Sequence, residues 1–230
     1  MRGSVVSEKA RSDKELDELS VLLVDDHDLF RTGLKNLLEE QGVHVVGEAS
    51  NGQTALRLAA ELAPDVVIMD LNMPGLSGVE TTRHLTGIAP LVRVVVLTIS
   101  IDDEDVMDAV MAGACGYLLK DSSIEDLIAG IRAAAAGESL ISPQIAAKVL
   151  QRLRSQGKSE DAAETIRAEL SDREVEVLKL IANGKDNAQI ASELFISPKT
   201  VKNHISNILM KLQIDNRIQA AVYAVRSGIV

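Results

Sequence analysis

The sequence predicts an open, doubly wound α/β sheet of five parallel strands, followed by an all-α domain of four helices. Three observations carry that expectation. Five short apolar runs rich in Val and Ile recur as far as Lys120 with little polar alternation, as strands do when helices cover both faces of a sheet. Stretches of helical period separate those runs, so that strand and helix alternate. From Ser171 onward the period is helical throughout. A chain of 230 residues is long enough to bury two separate cores.

The first strand is Val21–Val24, and Leu29, Leu34, Leu37 and Leu38 line one face of the helix that follows. His44–Gly47 is the second strand, and Ala55, Leu56, Ala59, Ala60 and Leu62 supply the next apolar face. Val66–Met69 is the third. Ser77-Gly-Val-Glu80 has the spacing of a capping box, in which hydroxyl and carboxylate each satisfy an orphan backbone N–H. Val92–Leu97 is the fourth strand, followed by a helix with Val106, Ala109 and Val110 inward. Gly116–Leu119 is the fifth. A second capping box at Ser122-Ser-Ile-Glu125 opens a helix that turns Ile124, Leu127, Ile128 and Ile131 to the sheet and closes at Gly137.

Ser142-Pro143 offers a cap and a first-turn proline for a helix to about Arg154, and polar Ser155–Asp161 reads as a flexible linker. Ser171-Asp-Arg-Glu174 is a third capping box, before an apolar stripe of Val175, Val177, Leu178 and Ile181 that ends at Gly184. A short helix, Asn187–Phe195, carries Ile190, Ala191 and Leu194. Ser197-Pro198 caps the next, with Val201, Ile205, Ile208, Leu209 and Leu212 inward, and Asn216–Ser227 is the last, with Ile218, Ala221, Val222 and Val225 on one side. Four short helices with a tight turn between the second and third make a helix-turn-helix pattern. The expected organisation is a charged extension over 1–19, an α/β domain over 20–137, a linker with a helix over 138–168, and the helical domain over 169–230.

The net charge of −10 argues against a nucleic-acid partner until it is divided. From Ser171 onward 8 Lys/Arg face 6 Asp/Glu, a balance of +2; the first 170 residues hold 16 against 28, a balance of −12. Within Pro198–Arg217, Lys199, Lys202, Lys211 and Arg217 face Asp215 alone. Cys115, the only cysteine, sits in an apolar setting and reads as a buried small hydrophobe. The four histidines lack the spacing of a zinc site. No apolar run reaches the roughly 18–20 residues of a membrane span, and the first 20 residues lack the apolar core of a secretory signal. The expectation is a cytoplasmic protein without a membrane partner.

Chemistry gathers at the strand ends. Asp25 and Asp26 end the first strand, Asp70 the third, Thr98 the fourth and Lys120 the fifth. In an open parallel sheet these ends converge on one cleft, where ligands bind. Three clustered carboxylates repel one another unless a cation sits among them. Oxygen-only ligands favour a hard ion, and Mg²⁺ suits phosphoryl chemistry because it keeps several waters. A metal-neutralised aspartate can attack phosphorus, with Lys120 pairing with the phosphoryl charge and Thr98 donating a hydrogen bond to it.

Val24-Asp-Asp-His27, Met69-Asp-Leu-Asn-Met-Pro-Gly75, Leu97-Thr98 and Gly116-Tyr-Leu-Leu-Lys120 resemble the receiver domains of response regulators, over about Val21–Gly137. The resemblance implies a flavodoxin-like receiver in which Asp70 is the phosphoacceptor. It implies that Asp26 ligates Mg²⁺ directly, that Asp25 does so mainly through water, and that the backbone carbonyl of Asn72 completes the set. Thr98 and Tyr117 resemble the switch pair of that family, although Tyr117 also fits a plain half-buried aromatic. Many receivers place Pro after this lysine, whereas here Asp121 follows.

The third helix of the second domain carries Lys199, Lys202, Asn203, Ser206 and Met210 opposite its apolar stripe, a basic face without carboxylates that suits a major groove. Leu170-Ser-Asp-Arg-Glu-Val-Glu-Val-Leu178, Asn187-Ala-Gln-Ile-Ala191 and Ile196-Ser-Pro-Lys-Thr-Val-Lys-Asn-His-Ile205 resemble the LuxR-type helix-turn-helix, over about Ala168–Val230. With the receiver in front, the whole resembles the NarL/FixJ class of response regulators. That resemblance implies base-facing Lys202, Asn203 and Ser206, the last at a position where some relatives carry Lys. It implies phosphate contacts from Asn187, Lys199, Thr200 and Lys211. His204 stays open between packing or backbone contact and reading a base. Dimer candidates on the last helix are Ala220, Tyr223 and Ala224.

The implied function is a two-component response regulator rather than an enzyme. A sensor histidine kinase phosphorylates the aspartate, which changes domain arrangement, favours a homodimer and controls binding to a double-stranded DNA operator. One alternative is a regulator that binds DNA without phosphorylation and keeps the receiver for dimerisation. The other, an aspartate-nucleophile phosphatase, needs Asp-x-Asp after its first strand, whereas here Asp70-Leu-Asn72 follows the third.

Overall fold

The computed structural model describes residues 18–100, 102–141 and 169–229. The chain divides into two units, Met1–Ile145 and Ala146–Val230. In the first, β1 (Ser20–Val24), β2 (His44–Ala49), β3 (Val66–Met69), β4 (Arg93–Thr98) and β5 (Gly116–Leu119) alternate with α1 (Asp28–Glu40), α2 (Gly52–Leu62), α3 (Gly78–Ile88), α4 (Asp103–Met111) and α5 (Ile124–Ala135). The five expected strands are joined by β6 (Leu140–Ile141), which adds two residues parallel to β5. Strand order is β2-β1-β3-β4-β5-β6. The chain thus leaves β1 in one direction and turns back beyond it at β3, creating the switch point at which such sheets bind ligands.

The side-chain period of 2 along each strand divides the core between the two faces. Val21 and Leu23 pack with Leu38 of α1 and with Leu127 and Ile131 of α5. Their neighbours Leu22 and Val24 pack with Ala55 and Ala59 of α2 and with Leu85 of α3. Cys115, at the foot of β5, is buried, and burial pushes its thiol up to about 11.

Two local expectations are corrected. The inward line of α1 is Phe30, Leu34 and Leu38, whereas Leu29 and Leu37 face solvent on either side of Gly33. Apolar residues occupy both lines, and the step of four from Phe30 to Leu38 is the one that meets the sheet. Helix α5 is capped by Ser123, whose hydroxyl accepts from the Asp126 N–H, one residue later than the expected Ser122–Glu125 box. The Ser77–Glu80 and Ser171–Glu174 boxes form as spaced. The helix and linker expected over Ser142–Asp161 lie outside the described residues.

The second unit holds α6 (Asp172–Ala182), α7 (Asn187–Leu194), α8 (Pro198–Leu212) and α9 (Arg217–Arg226). Gly184 follows α6 at φ +75°, the left-handed position at which glycine ends a helix without a Cβ clash. Val177, Leu178, Ile181, Ile190, Val201, Ile205 and Ile208 form its core. Helix α7 stops at Phe195, and only Ile196 and the cap Ser197 separate that residue from α8. Among the described residues, no helix is long and apolar enough to cross a membrane.

Candidate functional site

The sheet brings the strand-end residues together. Asp25 continues β1, and its N–H donates to the Ala49 carbonyl of β2 at 3.0 Å. Asp70 continues β3 and donates to the Val24 carbonyl of β1 at 2.9 Å; Lys120 continues β5 and donates to the Thr98 carbonyl at 2.9 Å. Ladder bonds therefore fix the backbone beneath each functional side chain. Lys120 Nζ lies 2.7 Å from Asp25 Oδ2 and 2.7 Å from Asp70 Oδ2. Both carboxylates are buried. Gly78, in the first turn of α3, closes the other side: a Cβ there would lie 2.0 Å from the Asp70 carbonyl oxygen.

Burial opposes the Lys120 charge, but hydrogen bonds to Asp25 and Asp70, with their charge, outweigh it and hold the ammonium above its ordinary range. The Phe30 ring centroid lies 4.6 Å from the same nitrogen, a cation–π contact. One ligand atom each from Asp25, Asp26, His27 and Asp70 falls within 4.8 Å of the others. Asp26 Oδ1 is buried without a hydrogen-bond partner; His27 Nδ1 is 2.8 Å away but off the hydrogen-bonding angle. An orphaned carboxylate oxygen beside two further carboxylates is a donor set that fits a hard divalent ion. Asn72, an expected carbonyl ligand, is exposed, and its N–H donates to Asp70 Oδ1 at 3.5 Å.

Thr98 and Tyr117 are both fully buried and meet through a third residue. Thr98 Oγ1 accepts from the Ser100 N–H at 3.2 Å, and the Tyr117 hydroxyl donates to the Ser100 carbonyl at 3.1 Å. The Ser100 hydroxyl donates to Asp105 Oδ2 at 2.5 Å, reaching the first turn of α4. Burial, then the charges of Asp105, Asp70 and Asp102, push the Tyr117 pKa up, so the phenol stays a donor.

Sequence reasoning missed His27, Ser100 and Arg31. His27 had a signal in its adjacency to Asp26. Ser100 had one in its place two residues past the end of β4. Arg31 had a local signal in the i,i+3 spacing to Asp28, but none for its bond to the Asp25 carbonyl, which comes from another element.

In the second unit, Lys199, Asn203 and Ser206 are exposed on α8, while Lys202, His204 and Thr200 are partly buried. Thr200 Oγ1 lies 2.8 Å from Ser197 Oγ, within the cap of the helix. Lys211 Nζ is 2.7 Å from Oε2 of the buried Glu174, and Asn187 Oδ1 accepts from Arg217 Nη1 at 2.7 Å. Both expected phosphate contacts thus have partners inside the unit. The dimer candidates lie on α9. Ala220 and Ala224 are fully buried in the core of their own unit, because the small-residue face of α9 is the one that packs on α6. Tyr223 is partly buried against the same core.

Comparison with known proteins gives two family matches, to "Response regulator receiver domain" over residues 21–132 and to "Bacterial regulatory proteins, luxR family" over 168–224. The chain is 47% identical to the transcriptional regulatory protein LiaR of Bacillus subtilis (strain 168), covering 92% of this chain and 99% of the relative. Among solved structures it is similar to the response regulator ChrA of a heme-sensing two-component system, with 35% identity, a TM-score of 0.52, and 94% and 100% of the two chains covered. It is also similar to the two-component response regulator RcsB in complex with DNA, with 26% identity, a TM-score of 0.53, and 90% and 98% covered.

Proposed function

The chain belongs to the NarL/FixJ family of response regulators, a receiver domain joined to a LuxR-type helix-turn-helix, and from that premise we propose that phosphorylation of Asp70 controls its binding to DNA. The carrying observation is Lys120, whose ammonium bridges Asp25 and Asp70 at 2.7 Å beside the orphaned Asp26 oxygen. The phosphodonor is the phosphohistidine of a sensor kinase. An Asp70 carboxylate oxygen attacks phosphorus, the O–P bond forms, the N–P bond breaks, and the leaving imidazole keeps the electron pair and takes up a proton. Asp25, Asp26 and Asp70, with the Asn72 carbonyl, hold Mg²⁺, which when bound neutralises the charge that collects around the transferred group. Lys120 Nζ pairs with that group, and the Thr98 hydroxyl turns toward it.

The Ser100 peptide gives that turn a route outward. Thr98 Oγ1 accepts from its N–H and Tyr117 donates to its carbonyl, so movement of Thr98 reaches the aromatic ring and α4. Helix α8 reads the major groove through Lys202, Asn203 and Ser206, with Lys199 and Thr200 on phosphates. The RcsB–DNA complex supports a double-stranded operator as the ligand. The phosphorylated protein acts as a homodimer on paired half-sites in the cytoplasm, and it regulates transcription rather than turning over a substrate.

The test is gel separation of phosphorylated and unphosphorylated forms after acetyl phosphate and Mg²⁺, with size-exclusion chromatography of the same samples. Wild type is expected to shift and change oligomeric state, and Asp70→Asn to do neither. No shift in wild type would leave a regulator that binds DNA independently of phosphorylation.

A further inference from the structure

We propose that Arg31 is the positioning residue of the acid pair, its guanidinium fixing the Asp25–Asp26 peptide so that the Asp26 carboxylate faces the divalent cation. The inference rests on the receiver reading above. Arg31 Nη1 donates to the Asp25 backbone carbonyl at 2.6 Å, and Nη2 donates to Asp28 Oδ1 at 2.6 Å. Nε faces Glu48 Oε2 at 3.3 Å, off the hydrogen-bonding angle, and Lys35 holds the other Glu48 oxygen at 3.1 Å. The arginine side chain is only 13% exposed. One planar group thereby joins the end of β1, the first turn of α1 and the end of β2. The bonded carbonyl belongs to the peptide between the two acids, so its orientation sets where the Asp26 side chain starts.

Charge and position make opposite demands here, which gives the inference a sign. A guanidinium near a cation site repels the cation, so its charge alone would weaken binding, and removing it would tighten binding. If the group instead orients a ligand, removing it weakens binding, by roughly 10–100-fold for partners that orient metal ligands. Lysine at this place keeps the charge and loses the planar fork.

The experiment is calorimetric titration of the full chain with MgCl₂, for wild type, Arg31→Lys, Arg31→Gln, Lys35→Gln and Asp26→Asn, with melting curves taken without metal. Arg31→Lys and Arg31→Gln are expected to bind Mg²⁺ at least 10-fold more weakly than wild type. Lys35→Gln removes a like charge from the same Glu48 and leaves the Asp25 carbonyl untouched; it should bind as wild type or more tightly. Wild-type affinity in Arg31→Lys, or tighter binding in Arg31→Gln, overturns the positioning role and leaves a Coulombic one. Equal loss in Lys35→Gln overturns it as well. If wild type shows no binding that Asp26→Asn removes, the receiver reading itself fails, an outcome distinct from a failure at Arg31 alone.

Discussion

Lys211 separates what a residue type suggests from what its neighbours allow. On a basic helix face it reads as a phosphate contact, yet its ammonium is 2.7 Å from the buried Glu174. Each phosphate neutralised contributes about 0.9 to the slope of log affinity against log salt. Lys199→Met should therefore lower the slope by roughly that amount, and Lys211→Met should leave it unchanged while destabilising the second unit. The stability loss should be on the order of 2 kcal/mol, below that of a fully buried pair because the lysine is partly in solvent; titration of DNA binding at several salt concentrations, with melting curves, checks both. Burial raises the Glu174 pKa, but Lys211 and the Ser171 N–H and hydroxyl outweigh it and hold the carboxyl below its ordinary value. The folded pKa is depressed, so this stabilisation is present above the ordinary carboxylate range and lost as pH falls through the lowered value. Glu174→Gln should flatten the acid limb of stability measured by circular dichroism, and an unchanged limb would refute the assignment. The acids at the strand ends were legible because each directly follows an apolar run. Glu174 was legible as the capping-box partner of Ser171, but its pairing with Lys211 was not, since residues 37 apart have no local pattern.

Among the elements, helix and strand identities were legible from period and caps, but faces were ambiguous where a helix had two apolar lines. Leu29 and Leu37 in α1 and Ala221 and Val225 in α9 each sit on the line that packing leaves more open. In α9 the alanine line was chosen because small side chains let its axis approach α6 closely. The turn between α7 and α8 carries a further local conflict. Phe195 has φ +55° and is 94% exposed, so it accepts a left-handed backbone with almost no burial in return. Phe195→Gly should stabilise the unit by about 1 kcal/mol, because glycine removes the Cβ clash and no packing is lost. A fall in melting temperature would show that the ring makes a contact that matters.

For the whole molecule, charge is divided along with the cores. The sequence showed that partition plainly, −12 over the first 170 residues against +2 from Ser171 onward. The acidic part repels a phosphate backbone over a distance that shrinks from about 30 Å at 0.01 M salt to about 8 Å at 0.15 M. A fragment of residues 169–230 should bind non-specific DNA more tightly than the full chain at low salt, and the gap should close as salt rises. Fluorescence anisotropy across that range measures it, and a gap that persists at high salt would point to direct occlusion instead.

Cys115 gives the receiver a built-in reporter. It is the only thiol in the chain, it is buried where β5 begins, and its Sγ–H donates to the Val94 carbonyl at 3.2 Å. With its pKa near 11, it is almost wholly protonated and shielded at neutral pH. An aromatic disulfide reagent can therefore label the protein only in the instants when β5 parts from its neighbours, and the labelling rate reads the free energy of that opening. Followed before and after treatment with acetyl phosphate and Mg²⁺, with no engineered probe, that single reaction would read whether the treatment changes how often the sheet opens.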